Sequence, residues 1–334
     1  MKTQSVIFAF LLLLVGGIAC NQSGKSSKRS IFIKKATGFA YEVLVVMDKT
    51  AWEGEAGRSL YDQLTASIPG LPQHEPKMRV TYAEPNQFDG LLRYVRNIIQ
   101  VRIDESVYTK VTVKKESDVW ASGQEVITLN APSSQLLMDY LKEQGKQLVD
   151  YLGDKERERY LVYLQDSHSQ RVKECVHEQF HARLLASEEL CSFNDTTDFF
   201  WATDHGRNGR TDLVLYSFPY TDEQTFSLNY LIGKRDSILG EHIKGAFPNS
   251  YMTTAKQITP TYEAITRNGE YCAVIRGLWE MVGDMMGGPF VSHTYLDKKN
   301  QRIVVVETFV YAPNTTKAKF LRRGEASLHT FQFE

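Results

Sequence analysis

The chain opens on a contrast of polarity. Val6 to Val15 is an unbroken apolar run behind Lys2, whereas Asn21 to Ser30 is polar and rich in Ser and Lys. An apolar run of about ten residues is too short for a bilayer core, which needs roughly 20. A charged start, a short apolar stretch and small residues before Cys20 predict a cleaved secretory signal over residues 1–19. The polar stretch after it predicts a flexible tether, 20–38.

Beyond the tether the pattern alternates between short β-rich runs and helical spacing. Tyr41 to Met47 reads as a strand, Trp52-Glu53-Gly54 as a turn, and Gly57 to Ser67 as a helix stopped by Pro69-Gly70. Lys77 to Ala83 reads as a strand and Phe88 to Tyr94 as a short helix or turn. Asn97 to Asp104, Tyr108 to Lys114 and Glu125 to Leu129 predict three strands of a meander. Pro132-Ser133-Ser134 starts a helix to about Leu152, and Gly153-Asp154 reads as its end. A second helix, Lys155 to Phe180, carries Leu161, Leu164, His168, Val172, Val176 and Phe180 at helical spacing.

The second half returns to strands at Arg183 to Phe193, Phe199 to Thr203 and Asp212 to Ser217, then a helix from Gln224 to about Ile243. Tyr271 to Trp279, Pro289 to Tyr295 and Arg302 to Tyr311 predict an antiparallel set, with Asp297-Lys298-Lys299-Asn300 as the last turn. Thr316 to Thr330 closes the chain as a helix. The expected fold is α+β: two antiparallel-sheet/helix sandwich domains, 39–152 and 182–334, joined by a helical pair with 153–181 as the connecting helix. Strands running into a C-terminal helix resemble small α/β/α sandwiches of the PsbP and Mog1 type, a fold analogy alone.

Composition narrows the classes. With 42% hydrophobic and 24% charged residues the body reads as globular. Its 39 basic and 40 acidic residues nearly cancel, so no global field argues for nucleic acid. No run after Val15 reaches spanning length, so the body is expected to be tethered to a membrane through lipid on Cys20. Cys175, Cys191 and Cys272 then remain, enough for one disulfide, with Cys175 to Cys191 the nearest in sequence. Three buried thiols are the alternative.

His177-Glu178-Gln179-Phe180-His181 matches H-E-x-x-H. On one helical face His177 and His181 would chelate zinc while Glu178 polarises a bound water. No third-ligand motif follows His181, and Lys173 sits one turn earlier, so the expectation is no cofactor, with zinc as the alternative. Trp279, Gly287, Gly288 and Phe290 could line a binding groove, although buried tryptophan is the commoner case. Asp195-Thr196-Thr197 fits a short O-glycosylation pattern, with Thr196 as acceptor.

Several phrases carry a family resemblance. They are Glu42 to Asp48 with Trp52-Glu53-Gly54, Pro69 to Gln73 with Pro76, and Arg96-Asn97-Ile98. Arg276-Gly277-Leu278-Trp279-Glu280 and Met286-Gly287-Gly288-Pro289-Phe290 complete them. Through these the chain resembles an uncharacterised lipoprotein family of the Bacteroidetes, a domain of unknown function covering nearly all of the mature chain. The resemblance implies an envelope lipoprotein and no particular activity. Without acidic residues directly after Cys20, it implies the outer membrane facing the periplasm. The expected function is a non-catalytic, membrane-tethered module binding an envelope protein or polymer. The alternatives are a zinc-dependent hydrolase using the HEQFH motif and a lipoprotein that binds a small molecule or glycan.

Overall fold

In a computed structural model, which describes residues 34–334, β1 (Glu42–Val46) has both faces buried, and that decides the first half. It is followed by α1 (Lys49–Glu53), α2 (Glu55–Leu64), β2 (Arg79–Ala83), β3 (Asn97–Ile103), β4 (Thr112–Ser117) and β5 (Glu125–Ala131). The sheet order is β2-β1-β3-β5-β4, and every pair is parallel except β4 with β5. This corrects the antiparallel meander expected from sequence. The physical reason is visible in the core: Val43, Val45, Ile99, Val101 and Ile127 pack toward the helices, while Leu44, Val46, Ile98 and Val126 pack on the opposite face. Near-continuous apolar strands are the mark of a parallel sheet covered on both sides.

Helix α3 (Ser134–Asp166) runs straight through Gly153-Asp154, so the expected break lies about a dozen residues too early. A glycine inside a helix costs about 1 kcal/mol. Local pairs offset it, including Arg157 with Asp154 and Lys155 with Glu158, together with buried Leu148, Val149, Leu152 and Leu164. The chain turns at Ser167 to Ser169, where the Ser169 hydroxyl accepts from Val172 N and opens α4 (Gln170–Phe180).

After α4 come β6 (Ala182–Arg183), β7 (Ser192–Thr196), β8 (Phe199–Thr203), β9 (Arg210–Pro219) and α5 (Leu228–His242). Of the expected Arg183 to Phe193 strand, only Arg183 belongs to β6, and Ser192 and Phe193 to β7. Then follow β10 (Tyr251–Thr254), β11 (Thr261–Arg267), β12 (Glu270–Val282), β13 (Gly287–Asp297), β14 (Arg302–Tyr311), α6 (Ala318–Leu328) and β15 (Gln332–Phe333). The large sheet is antiparallel throughout, ordered β10-β12-β13-β14-β9-β8-β7 with β11 also on β12. Helices α4 and α6 cover one face with Val172, Phe180, Leu321 and Leu328. Leu231 and Leu239 of α5 cover the other, against Phe290, Ile303 and Val305. The two halves therefore differ in strand direction.

Residues Lys34 to Glu334 form one compact unit. The loop before β2 ties its halves together. Gly70, at φ +82, brings its backbone against Arg276, where an added Cβ would lie 3.1 Å from the arginine's Cβ. No helix among the described residues is long and apolar enough to cross a membrane.

Candidate functional site

Glu156, on α3, anchors one wall of a cleft between the halves. Its side chain is 1% exposed, and its Oε1 accepts from Asn97 Nδ2 at 2.7 Å and from Arg159 Nη1 at 2.6 Å. The i,i+3 spacing of Glu156 and Arg159 puts both groups on one helix face. Arg159 also donates to Asn97 Oδ1 at 3.0 Å and to the Arg96 carbonyl at 3.2 Å. Arg96 Nε lies 3.0 Å from Glu156 Oε1 but is misaligned for a hydrogen bond, so the contact is an ion pair. Glu156 Oε2 is buried and has no donor.

The facing wall is α6. Its first amides are capped by a residue far away in sequence: Glu75 accepts from Lys317 N at 2.7 Å and Ala318 N at 2.8 Å. A carboxylate there satisfies orphan N–H groups and complements the helix dipole. One turn on, the Arg322 guanidinium lies 3.7 Å from the centre of the Tyr41 ring and donates to the Lys77 carbonyl at 2.7 Å. Arg323 lies 5.5 Å from the Tyr160 ring, which stacks with Tyr163 at 5.8 Å.

Between these walls is a cleft of about 500 Å³. Six cations line it (Arg79, Arg96, Arg159, Lys319, Arg322 and Arg323) against the carboxylates of Glu75 and Glu156. Both carboxylates are engaged by protein groups, so the cleft is net positive. Arg79 and Lys319 are exposed, and their described contacts are the rings of Phe39 and Phe320 rather than acids. Burial lowers the pKa of Arg322, and burial lifts the Tyr41 phenol to about 12, with Arg322 opposing. Tyr41 is therefore a neutral ring under a guanidinium, which keeps its charge at any ordinary pH. Guanidinium forks set in a sheltered cleft are suited to carboxylate, sulfate or phosphate oxygens.

A second cluster joins α6 to the large sheet. The ligating atoms of His293, Glu325 and His329 lie within 4.8 Å of one another. Their surroundings do not fit a metal. Arg276 donates to both Glu325 oxygens, and Arg267 Nη1 contacts His329 Nδ1. Metal-bound histidines normally donate their second nitrogen to a carboxylate or carbonyl, whereas here a cation sits against it. Burial holds His293 well below the usual histidine range, with His329 adding to the effect. Burial raises the pKa of Glu325, but Arg276 and His329 together outweigh it and hold the carboxyl well below its usual range. The cluster is a neutral-histidine and ion-pair tie between α6 and strands β11, β12 and β13.

The HEQFH residues occupy the end of α4. His177 is 62% exposed, with Nδ1 2.9 Å from Glu334 Oε2, and Glu178 is exposed. His181 leaves the helix as its left-handed cap at φ 51. The shared helical face expected of His177 and His181 is thus cut off by the helix end. The groove weighed as the rarer reading around Trp279 is not formed, and the commoner buried position is observed. Trp279 and Phe290 are 1% and 0% exposed, both in the core beneath α5, and Trp279 Nε1 donates to Val310 O at 3.1 Å. Gly288 serves that packing: an added Cβ would lie 2.0 Å from Val310 O, and Gly287 begins the strand beside it. Neither has positive φ; the turn's positive φ is at Gly283.

Cys175 is buried and Cys191 exposed, both as free thiols, so the pairing weighed from sequence is not formed. Thr196 is exposed at the end of β7. Cys20 lies outside the described residues. The cleft residues escaped the sequence reading because they come from distant positions. The usable signal was that Arg96 and Pro76, both in the family-like phrases, line it.

Two family models divide the chain between them. Domain of unknown function (DUF8532) matches residues 36–167, and Domain of unknown function (DUF4837) matches residues 169–330. Their junction falls at the turn between α3 and α4. No curated protein matches the chain. Among solved structures, a point mutant of protein Mog1 is 10% identical with a TM-score of 0.28, covering 46% of this chain and 90% of that one. The Saccharomyces cerevisiae Ran-binding protein Mog1p is 11% identical with a TM-score of 0.28, covering 46% and 89%. A Bacteroides thetaiotaomicron VPI-5482 protein is 10% identical with a TM-score of 0.20, covering 46% and 45%. Scores this low transfer neither fold nor function.

Proposed function

We propose that the protein is a cell-envelope lipoprotein, anchored through Cys20 to the outer membrane and facing the periplasm, that works by binding rather than catalysis. Its binding site in this reading is the cleft between α3 and α6, and its ligand is anionic. One observation carries the reading: six cations surround a cavity of about 500 Å³ whose two carboxylates already hold protein donors. Such a volume lies in the range of small-molecule sites, roughly 300–1,000 Å³. An anchor at Cys20 would hold the cleft near envelope polymers and add only local concentration.

Calorimetric titration of the purified protein with pyrophosphate at low ionic strength tests the proposal. Binding should weaken as salt rises, because partly exposed charges are screened. It should also weaken by about tenfold or more in an Arg79→Ala/Lys319→Ala double variant, whose side chains are exposed and outside the core. No pyrophosphate binding by a folded wild-type protein would overturn it.

A further inference from the structure

We infer that the cleft takes an acidic oligosaccharide, a ligand with at least two anionic groups carried on sugar rings; the inference rests on the anion-binding reading of the same cleft. Two features separate this class from a simple oxyanion. The first is the spread of charge. Arg96 and Arg159 belong to the β3 and α3 wall, whereas Lys319 and Arg322 belong to α6, across the cavity. A single small anion held at one wall would leave the other uncompensated, so the charges call for acidic groups spaced along one ligand.

The second feature is aromatic. Tyr160 and Tyr163 stack one turn apart on α3, and both line the cleft. Tyr163 is 42% exposed, which leaves an open ring on the α3 wall of the cleft. An aromatic ring with a polar tip suits a ligand whose body is apolar on one face and wet on the other. A pyranose ring, with C–H groups on its faces and hydroxyls at its rim, has that character.

The test compares three probes by calorimetry on the purified protein: digalacturonate, its dimethyl ester, and succinate as a ringless dicarboxylate. Digalacturonate should bind at least about tenfold more tightly than either of the others. In Tyr163→Ala its affinity should fall by several-fold while succinate is unaffected, and Tyr163→Phe should restore it. Succinate equal to digalacturonate would overturn the sugar inference and leave the anionic cleft standing. An ester that binds as well as the free acid would overturn the acidic requirement. Digalacturonate that fails to bind folded protein that does bind pyrophosphate would overturn the sugar inference alone, whereas failure of pyrophosphate overturns the anion-binding reading and the inference with it.

Discussion

Glu156→Gln should move stability and anion affinity in opposite directions. The wild-type carboxylate is buried among Asn97, Arg159 and Arg96. Removing one member of a buried charge set typically costs 3–5 kcal/mol, but glutamine keeps the shape and an oxygen acceptor, so about 2–3 kcal/mol is expected. For a body of this size that lowers Tm by roughly 3–5 °C. The arginines should nevertheless stay in place, because Arg159 keeps Asn97 Oδ1 and the Arg96 carbonyl as partners. The substitution therefore raises the net positive charge of the cleft. A unit charge about 8 Å from a bound anion, at an effective dielectric near 40, is worth about 1 kcal/mol, or roughly fivefold in affinity. Thermal denaturation would read the first effect and calorimetry with pyrophosphate the second. A variant that is less stable and also binds pyrophosphate more weakly would refute the reasoning, since Glu156 would then be needed to hold the arginines. Unchanged stability would refute the energetic assignment of the buried network.

Other consequences are as specific. Gly288→Ala would place a methyl 2.0 Å from Val310 O in the sheet centre and should destabilise by about 3 kcal/mol or more in chemical denaturation. Gly153→Ala meets nothing within 4 Å on α3 and should stabilise by about 0.5–1 kcal/mol. Because His293 is held well below its usual range in the folded state, the unfolded chain binds its proton first. Its contribution is complete above about pH 6.5 and is lost as pH falls below that, by up to about 1.4 kcal/mol per unit. His293→Gln should abolish that part of the slope, read as the difference between the two denaturation curves from pH 7 to 5. Cys20→Ala should release the protein from membranes into the soluble fraction on cell fractionation; a variant that stays with the membrane would contradict the anchor.

Strands β12 to β14 were legible because their ends carry local chemistry. Asp297 Oδ1 accepts from Asn300 N in the turn, and the flanking runs are long and β-rich. Helix α6 was legible from its spacing, and β8 and β9 from their apolar runs. Strand direction in the first half was misread, although Val43 to Val46 and Ile98 to Ile99 already had the unbroken apolar character of doubly covered strands. Strands β10 and β11 were missed because Tyr251–Thr254 and Thr261–Arg267 are mostly polar or exposed and are held by pairing to β12. The cleft was the least legible part. Arg159 on α3 and Arg322 on α6 each look like members of a solvated helix face until the fold sets them across one cavity. Trp279 and the HEQFH motif drew notice from residue type and spacing, but burial places one in the core and a helix end separates the histidines of the other.

The central claim is that the cleft between α3 and α6 is an anion site, and a crystal structure of the purified protein soaked with pyrophosphate tests it most directly. Pyrophosphate is expected between the two helices, in hydrogen-bond contact with guanidiniums of one wall, either Arg96 and Arg159 or Arg322. An empty cleft in crystals that bind pyrophosphate elsewhere would contradict it.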